Sequence, residues 1–172
     1  MDKNADANDF NNTNFNFPKA FSDKSLAQFI TQIEDIPKLF SNSPDSFSYK
    51  LDKLANEGLF AFLNTILDHP IYPKFQLKIM KFLDFLISSA SLSSEYEIIF
   101  RDDILNKLIL YQFDYSSEDI LRSYFTVLKG ISLKTKEIDP QHLLIESSSQ
   151  IDECPLFIQA FQYVNHSDSI VV

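Results

Sequence analysis

The stretch that decides the fold reads SSEDILRSYFTVLKGISLK and covers residues 116–134. Its apolar residues recur every three or four positions, which is typical of one buried face of an α-helix. Ser116, followed three residues later by Asp119, resembles a capping box with aspartate in place of the usual Glu or Gln. The buried stripe is expected to consist of Ile120, Tyr124, Val127, Leu128 and Ile131.

Residues that start or stop helices mark further helices on both sides of this stretch. Pro37 is expected to limit the first helix, whose cap is Ser22 or Asp23. Ser43 is expected to cap the second helix, which Gly58 ends. Upstream, the predicted helices cover about residues 23–36, 44–57, 59–68, 73–89, 94–100 and 102–113. Downstream, helices are predicted over 140–145 and 155–164, with a Ser-rich acidic loop at 147–153.

The composition also favours an all-α fold. The 172 residues suit one domain, and they include 17 Phe and seven Tyr but only two Gly, so tight β-turns should be scarce. The segment LFAFLNTILDHP, 59–70, partly matches LFIQAFQYVNHS, 156–167. This internal match favours stacked helical units of the α-solenoid kind, and the helix start after Ser167 predicts an array that is incomplete at the C-terminus.

Residues 1–20 differ from the rest, because they are rich in Asn and Phe without helical period. We expect a disordered or loosely docked tail here and a helical domain over 21–172. The phenylalanines of the tail and its border would then either have no specific role or form a short linear motif that a partner binds. They are Phe10, Phe15, Phe17 and Phe21.

Charge and motif content exclude several function classes. The net charge of −9 opposes binding to nucleic acid or anionic lipid, since both need basic surface. No secretory signal and no apolar stretch of spanning length is evident, so a soluble intracellular protein is expected. With Gly58 and Gly130 as the sole glycines, no Walker A loop, dinucleotide-binding turn or nucleophile elbow can be written. No cofactor is expected.

Few side chains are candidates for chemistry. Cys154 is the single cysteine, so no intrachain disulfide can form, and it is interpreted as a packing residue. The three histidines, His69, His142 and His166, do not have zinc-ligand spacing. His69 and His166 are expected at helix C-termini. Three lysines, spaced to share one face of the 73–89 helix, form a basic stripe that is either a solvated edge or a contact for an acidic partner. They are Lys74, Lys78 and Lys81.

Two motifs resemble one known family. The first is FDYSSEDILRSYFTVLKGISLK, residues 113–134; the second is Cys154-Pro155-Leu156, followed by Asn165-His166. Both are similar to the hallmarks of the FPL-domain family, typified by Ema-type endosomal maturation proteins and their C-type-lectin-named relatives. Where the family has Phe-Pro-Leu, this chain has Cys154 in place of the phenylalanine. The matching signature positions are Phe113, Asp114, Ser116, Leu128, Ser132, Leu133, Lys134, Pro155, Leu156, Asn165 and His166.

The resemblance implies an armadillo-like helical repeat, here as the truncated N-terminal part of a longer protein. It implies a non-enzymatic scaffold in endosome-to-lysosome trafficking, autophagy and mitophagy, cytoplasmic and recruited to endosomal or lysosomal membranes through protein partners. The signature residues would act as caps and core anchors or as partner contacts. Two alternatives stay open. One is an enzyme-accessory subunit, for example in ubiquitin transfer, with Cys154 as its candidate nucleophile; the other is a fragment without independent function.

Overall fold

A computed structural model describes Phe10 and residues 13–42, 45–134, 136 and 138. Within these residues the chain forms seven α-helices and one short 3₁₀ helix, and no β-strand. The predicted all-α class is therefore confirmed. The predicted helices at 140–145 and 155–164 and the loop at 147–153 lie outside the described residues. The α-helices are α1 Asp23–Asn42, α2 Phe47–Asn56, α3 Leu59–Ile66, α4 Pro73–Ser89, α5 Ser93–Ile99, α6 Ile104–Leu110 and α7 Glu118–Leu133, with the 3₁₀ helix at Arg101–Asp103.

Several predicted helix boundaries are confirmed. Ser22 caps α1, because its Oγ accepts a hydrogen bond from the N–H of Ser25 at 3.0 Å. Gly58 separates α2 from α3 with a φ of +93°, a backbone conformation that costs little only without a Cβ. Pro73 occupies the first turn of α4, where its missing N–H is harmless. Each of these residues acts through the backbone property that made it a signal in the sequence.

Three other boundaries differ from the prediction, one of them the end of α6, which lies at Leu110 and not near residue 113. The helix α1 continues through Pro37 to Asn42, because Ile36, Leu39 and Phe40 are buried and their burial outweighs the hydrogen bond that proline removes. The helix α2 starts at Phe47, with Ser46 as its N-cap and a bond from the N–H of Tyr49 to the Ser46 side chain at 3.3 Å. The expected cap at Ser43 was therefore placed too early.

The seven helices pack at a regular interval along the chain. Four contacts join helices three apart along the chain, namely α1 to α4, α2 to α5, α3 to α6 and α4 to α7, while neighbouring helices also contact at α2–α3 and α4–α5. The α4–α7 contact is the most extensive of these. It includes Gly130, where a Cβ would lie 3.2 Å from Cγ2 of Ile87, so the two helices approach closely at this glycine. The helix α4 is thus held between α1 and α7.

A buried lysine closes the corner between α1 and α2. Lys50 is 4% exposed, and its ammonium donates to the carbonyl of Phe40 at 2.7 Å. It also lies 5.3 Å from the centroid of the Phe40 ring. The carbonyls at a helix C-terminus carry partial negative charge and do not have partners within the helix. Lys50 therefore supplies both a donor and a positive charge to the end of α1.

The N-terminal residues that the structure describes are packed against the helices. Phe10, Phe15 and Phe17 are 0%, 6% and 4% exposed and belong to the main core cluster. The prediction of a disordered or loosely docked tail over residues 1–20 falls largely on residues 1–9, 11 and 12, which lie outside the described residues; the three described rings are packed against the core. A sequence without helical period is compatible with this arrangement, because an extended segment needs only alternate side chains to face the core.

Candidate functional site

The first signature motif begins in a loop that is fastened to the segment before α4. Gln76 of α4 is 4% exposed. Its Nε2 donates to the carbonyl of Ile71 at 2.8 Å, and its Oε1 accepts from the N–H of Asp114 at 2.8 Å. One buried amide therefore satisfies a donor and an acceptor in two different loops and fixes their relative position.

Tyr111 joins the same two loops. Its hydroxyl donates to the carbonyl of His69 at 2.9 Å and accepts from the N–H of Ile71 at 2.8 Å. Burial raises the pKa of Tyr111, and the hydrogen bond from the Ile71 N–H opposes this only in part. The phenol therefore keeps its proton and acts as a structural donor.

An aromatic cluster surrounds Phe113. The ring of Phe113 is 5% exposed, with its centroid 4.6 Å from that of Tyr111 and 5.5 Å from that of Tyr124. Tyr124 of α7 is fully buried and donates from its hydroxyl to the carbonyl of Ile109 at 2.7 Å. Such ring pairs add about 0.5–1.5 kcal/mol each beyond the burial of their area. Phe113 is thus a core anchor that ties the loop to α7.

The polar signature residues Asp114 and Ser116 form a turn. Oδ1 of Asp114 accepts from the N–H of Ser116 at 3.2 Å and from its Oγ at 2.5 Å. This is the pattern of an Asx turn, in which a side chain replaces a backbone acceptor. The N-cap of α7 is Ser117, without a side-chain cap bond. The capping box expected between Ser116 and Asp119 is therefore wrong, because Asp114 already takes the Ser116 hydroxyl.

The remaining described signature positions lie at the end of α7. Leu128 is 5% exposed, whereas Leu133 is 72% exposed. Ser132 donates from Oγ to the carbonyl of Leu128 at 2.9 Å, and the ammonium of Lys134 lies 6.0 Å from the Tyr96 ring centroid. Leu133 is accordingly the signature residue in the described part of the chain that presents a large apolar side chain to the surface. Pro155, Leu156, Asn165 and His166, together with Cys154 and His142, lie outside the described residues.

Glu95 is a buried carboxylate that the sequence reasoning did not single out. It is 2% exposed and accepts hydrogen bonds from Ser48 Oγ of α2 and from the N–H groups of Ser91 and Leu92, the latter two at 2.7 and 3.0 Å. Burial raises the pKa of Glu95, but the bond from Ser48 and the two backbone bonds outweigh it and lower the pKa below its ordinary value. The sequence signal was a glutamate in the first turn of α5, a position from which it caps the helix.

The exposed face of α4 carries the predicted basic stripe. Lys78 pairs with Glu34 of α1 at 2.8 Å, whereas Lys74 and Lys81 are exposed. Two open cavities of about 180 and 230 Å³ flank Lys81, one toward α1 and one toward α7. Pro37 and Phe82 line the first, and Ser123 and Thr126 of α7 line the second. The α4 surface, meaning Lys74, Lys78, Lys81 and these two cavities, is bordered by α1 and α7. Glu34 and Asp84 also line the cavities and offset part of its positive charge.

Among the other predicted site residues, His69 has a packing role. It lies just after the end of α3, and its ring stacks on that of Phe21, with centroids 4.1 Å apart and an interplanar angle of 14°. Among the residues described by the structure, no three His, Cys, Asp or Glu side chains cluster as a metal site would require. None of the helices in this part of the chain combines the length and hydropathy that a membrane crossing needs.

These observations define an all-α protein in which the loop that begins the first signature motif is joined to α4 by the Gln76–Asp114 hydrogen bond and to α7 by the contact between Phe113 and Tyr124. The chain belongs to the FPL family, whose sequence model, described as an uncharacterised conserved protein, matches residues 21–172. The resemblance read from the two motifs is thereby confirmed.

The curated relatives are much longer than this chain. The human and mouse proteins named CLEC16A are 24% identical to it over 130 residues, which cover 76% of this chain and 12% of each relative. Protein TRANSPARENT TESTA 9 of Arabidopsis thaliana is 28% identical over 83 residues, or 47% of this chain and 10% of the relative. The CLEC16A homolog of Drosophila melanogaster is 22% identical over 95 residues, or 55% and 9%. The chain thus spans about a tenth of the length of these relatives. No solved structure matches it.

Proposed function

We propose that this chain is an armadillo-like helical module without enzymatic activity that binds protein partners along the α4 surface. The observation that carries the proposal is a repeated packing interval, in which four contacts join helices three apart along the chain: α1–α4, α2–α5, α3–α6 and α4–α7. Armadillo-like proteins stack three-helix units in this manner, so that equivalent helices of successive units lie side by side. Here α1, α4 and α7 would be the equivalent helices, and their common face the binding surface.

The charge of the α4 surface favours an acidic, extended partner segment. The chain as a whole has a net charge of −9, whereas Lys74 and Lys81 stand exposed on α4. Opposite charges at the edge of an interface guide association and fix register. The small cavity beside Pro37 and Phe82 has room for one apolar side chain of the same segment. Helical arrays commonly bind extended segments on such a face.

The proposed cellular setting is based on the family resemblance. We propose a cytoplasmic protein that acts in endosome-to-lysosome trafficking, autophagy and mitophagy, and that reaches endosomal or lysosomal membranes through protein partners. The net negative charge supports recruitment by proteins, because attraction to anionic lipid requires clustered basic residues. The shallow, open form of the cavities beside α4 also supports a binding surface, since enzyme sites usually enclose most of a small substrate.

The experiment is affinity purification of the tagged chain from cells, combined with imaging against endosomal markers. The test variant is Lys74→Glu with Lys81→Glu, because both lysines are exposed and Lys74 lies in the first turn of α4, where a carboxylate suits the helix dipole. Lys24→Glu, an exposed change at the start of α1, is the matched control. We expect endosomal proteins with the wild-type chain and the control, and about tenfold lower recovery with the double variant.

Two results would contradict the proposal. If the wild-type chain is diffuse in the cytosol and recovers no endosomal protein, the proposed cellular role is refuted. Equal recovery by the double variant, with an unchanged melting temperature, removes the α4 surface as the binding site.

A further inference from the structure

The N-terminal strap, defined as Phe10 together with residues 13–20, runs antiparallel to α1. Its start lies near the end of α1, where the ring centroid of Phe10 is 5.3 Å from that of Phe40. Further along, the Phe17 centroid is 6.0 Å from that of Phe29 in the first half of α1. The FPL match begins after the strap, at residue 21. The strap is therefore a segment that precedes the family match and covers a groove between α1 and α2.

Lys53 of α2 holds the first half of the strap by its main chain. The ammonium of Lys53 donates to the carbonyls of Phe10 and Thr13, both at 3.0 Å. It also lies 5.2 and 5.9 Å from the ring centroids of Phe10 and Phe15. A donor that binds a carbonyl depends on the path of the backbone and not on which side chain follows it.

Two glutamines of α1 hold the second half in the same way. Nε2 of Gln28 and Nε2 of Gln32 donate to the carbonyl of Asn16 at 3.1 and 3.3 Å. The Phe10 carbonyl also accepts from the N–H of Thr13 at 3.3 Å, whereas residues 13–18 form no regular secondary structure. Three side chains from two helices thus reach backbone carbonyls of the strap. This mode of contact is typical of grooves that bind peptides, in which main-chain bonds give affinity and pockets for side chains give specificity.

The pockets of this groove take phenylalanine at alternate positions. Phe15 and Phe17 are buried, whereas Asn14 and Asn16 are exposed. The two buried rings are parallel, with centroids 5.8 Å apart and planes at 2°. The side-chain specificity of the groove therefore lies in two phenylalanines separated by one residue.

The strap fills its groove incompletely. An open cavity of about 360 Å³ lies along Thr13, Asn14 and Phe15, and another of about 280 Å³ lies along Phe17, Pro18 and Lys19. Gln32 lines the first and Glu57 the second. Oε1 of Gln32 and Oε2 of Glu57 are buried and, in the described structure, accept no hydrogen bond. A larger occupant that donates hydrogen bonds to these two oxygens would gain interactions that the strap does not make, and could therefore bind more tightly than the strap.

We propose that the α1–α2 groove is a binding site for an extended partner segment with two phenylalanines one residue apart, and that the strap occupies this site in cis. A partner then binds by displacing the strap. Because the strap is tethered, it competes at an effective concentration on the order of mM. A partner succeeds only if it uses the open cavities or is held nearby by a second contact.

The test uses the full chain with a specific protease site inserted between the exposed residues Lys19 and Ala20. The probe is a fluorescent peptide of residues 8–19, NDFNNTNFNFPK, and binding is followed by anisotropy before and after cleavage. We expect saturable binding to the cleaved chain and at least about tenfold weaker binding to the uncleaved chain. A peptide carrying Phe15→Ala and Phe17→Ala should bind the cleaved chain at least about tenfold more weakly. The Lys53→Met chain should also lose affinity, whereas Lys24→Met should not.

Several results would overturn the proposal. Equal binding before and after cleavage shows that the strap does not cover the site, and equal binding of the alanine peptide shows that the phenylalanines are not read. A strap-exchanged dimer of the uncleaved chain that excludes the peptide would make a second copy the occupant. If cleavage unfolds the chain, recovery of helical circular dichroism by the wild-type peptide alone supports the groove. Recovery by neither peptide, or by both, refutes it.

Discussion

Replacing Glu95 by glutamine isolates the contribution of one buried charge. The carboxylate accepts bonds from Ser48 Oγ and from the N–H groups of Ser91 and Leu92. A glutamine carbonyl can keep the two backbone bonds while its amide donates to Ser48, so the geometry survives. Hydrogen bonds to a charged group contribute about 1.5–3 kcal/mol, against about 0.5–1.5 for neutral partners. The carboxylate makes three such bonds, so their combined advantage over the bonds of a neutral amide is several kcal/mol. A neutral amide is easier to bury, which offsets part of this advantage, and the expected loss in free energy of unfolding is about 1–2 kcal/mol at neutral pH.

The loss should depend on pH with a defined sign. Burial raises the pKa of Glu95, but the bonds from Ser48, Ser91 and Leu92 bring it below the ordinary value of 4.5. The stabilisation is therefore complete above the pKa of the unfolded chain and disappears as the pH falls through the lower folded pKa. Glutamine does not titrate. The difference in free energy of unfolding between wild type and Glu95→Gln should consequently be smaller at an acid pH below the folded pKa of Glu95 than at neutral pH.

The assay is urea unfolding followed by circular dichroism at both pH values. The control is Glu97→Gln, an exposed change on the same helix, which should alter stability by less than about 0.5 kcal/mol at either pH. An equal loss for Glu95→Gln at neutral and acid pH, or no loss at neutral pH, would refute the assignment of Glu95 as a stabilising buried anion.

Three further substitutions test the fold by the same urea assay. Gln76→Leu leaves the Ile71 carbonyl and the Asp114 N–H without their partner and should lower the free energy of unfolding by about 2–4 kcal/mol. The control Gln112→Leu, an exposed change, should lower it by less than about 0.5 kcal/mol. Equal effects of the two substitutions would contradict the anchoring role of Gln76. Gly58→Ala should cost about 1–2 kcal/mol, because alanine is strained at a φ of +93° although no atom lies within 4 Å of its Cβ. Gly130→Ala should change stability by less than about 1 kcal/mol, since the gain in helix propensity offsets the 3.2 Å contact with Ile87; a larger loss than at position 58 would reverse this ranking.

The helices that could be predicted were those with strong local signals. The buried stripe Ile120, Tyr124, Val127, Leu128 and Ile131 is buried as its spacing indicates, and Gly58 and Pro73 mark real boundaries. These signals act within one or two turns of backbone. The prediction that Pro37 ends α1 was wrong. The hydrogen bond that proline removes costs less free energy than burial against distant helices provides, and a local sequence pattern does not show that burial.

The contacts between distant segments were the part that sequence reasoning missed. Glu95 meets Ser48 of α2, and Gln76 meets Asp114, across more than thirty residues of chain in each case. The order in which helices pack determines these pairs. The strap was similarly difficult, because its Asn and Phe residues are typical of both a disordered tail and an extended segment, and the difference is set by Lys53, Gln28 and Gln32 on other elements.

Because the ammonium of Lys50 is buried, its reactivity toward acylating reagents would show whether the α1–α2 corner is open or closed. An amine that is 4% exposed and engaged with the Phe40 carbonyl is shielded from acylating reagents and from enzymes that modify lysine. Exposed amines such as that of Lys24 do not have this protection. Acylation at Lys50 is therefore gated by local opening of the corner, and a chain modified there would keep neither the donor nor the charge that closes the end of α1.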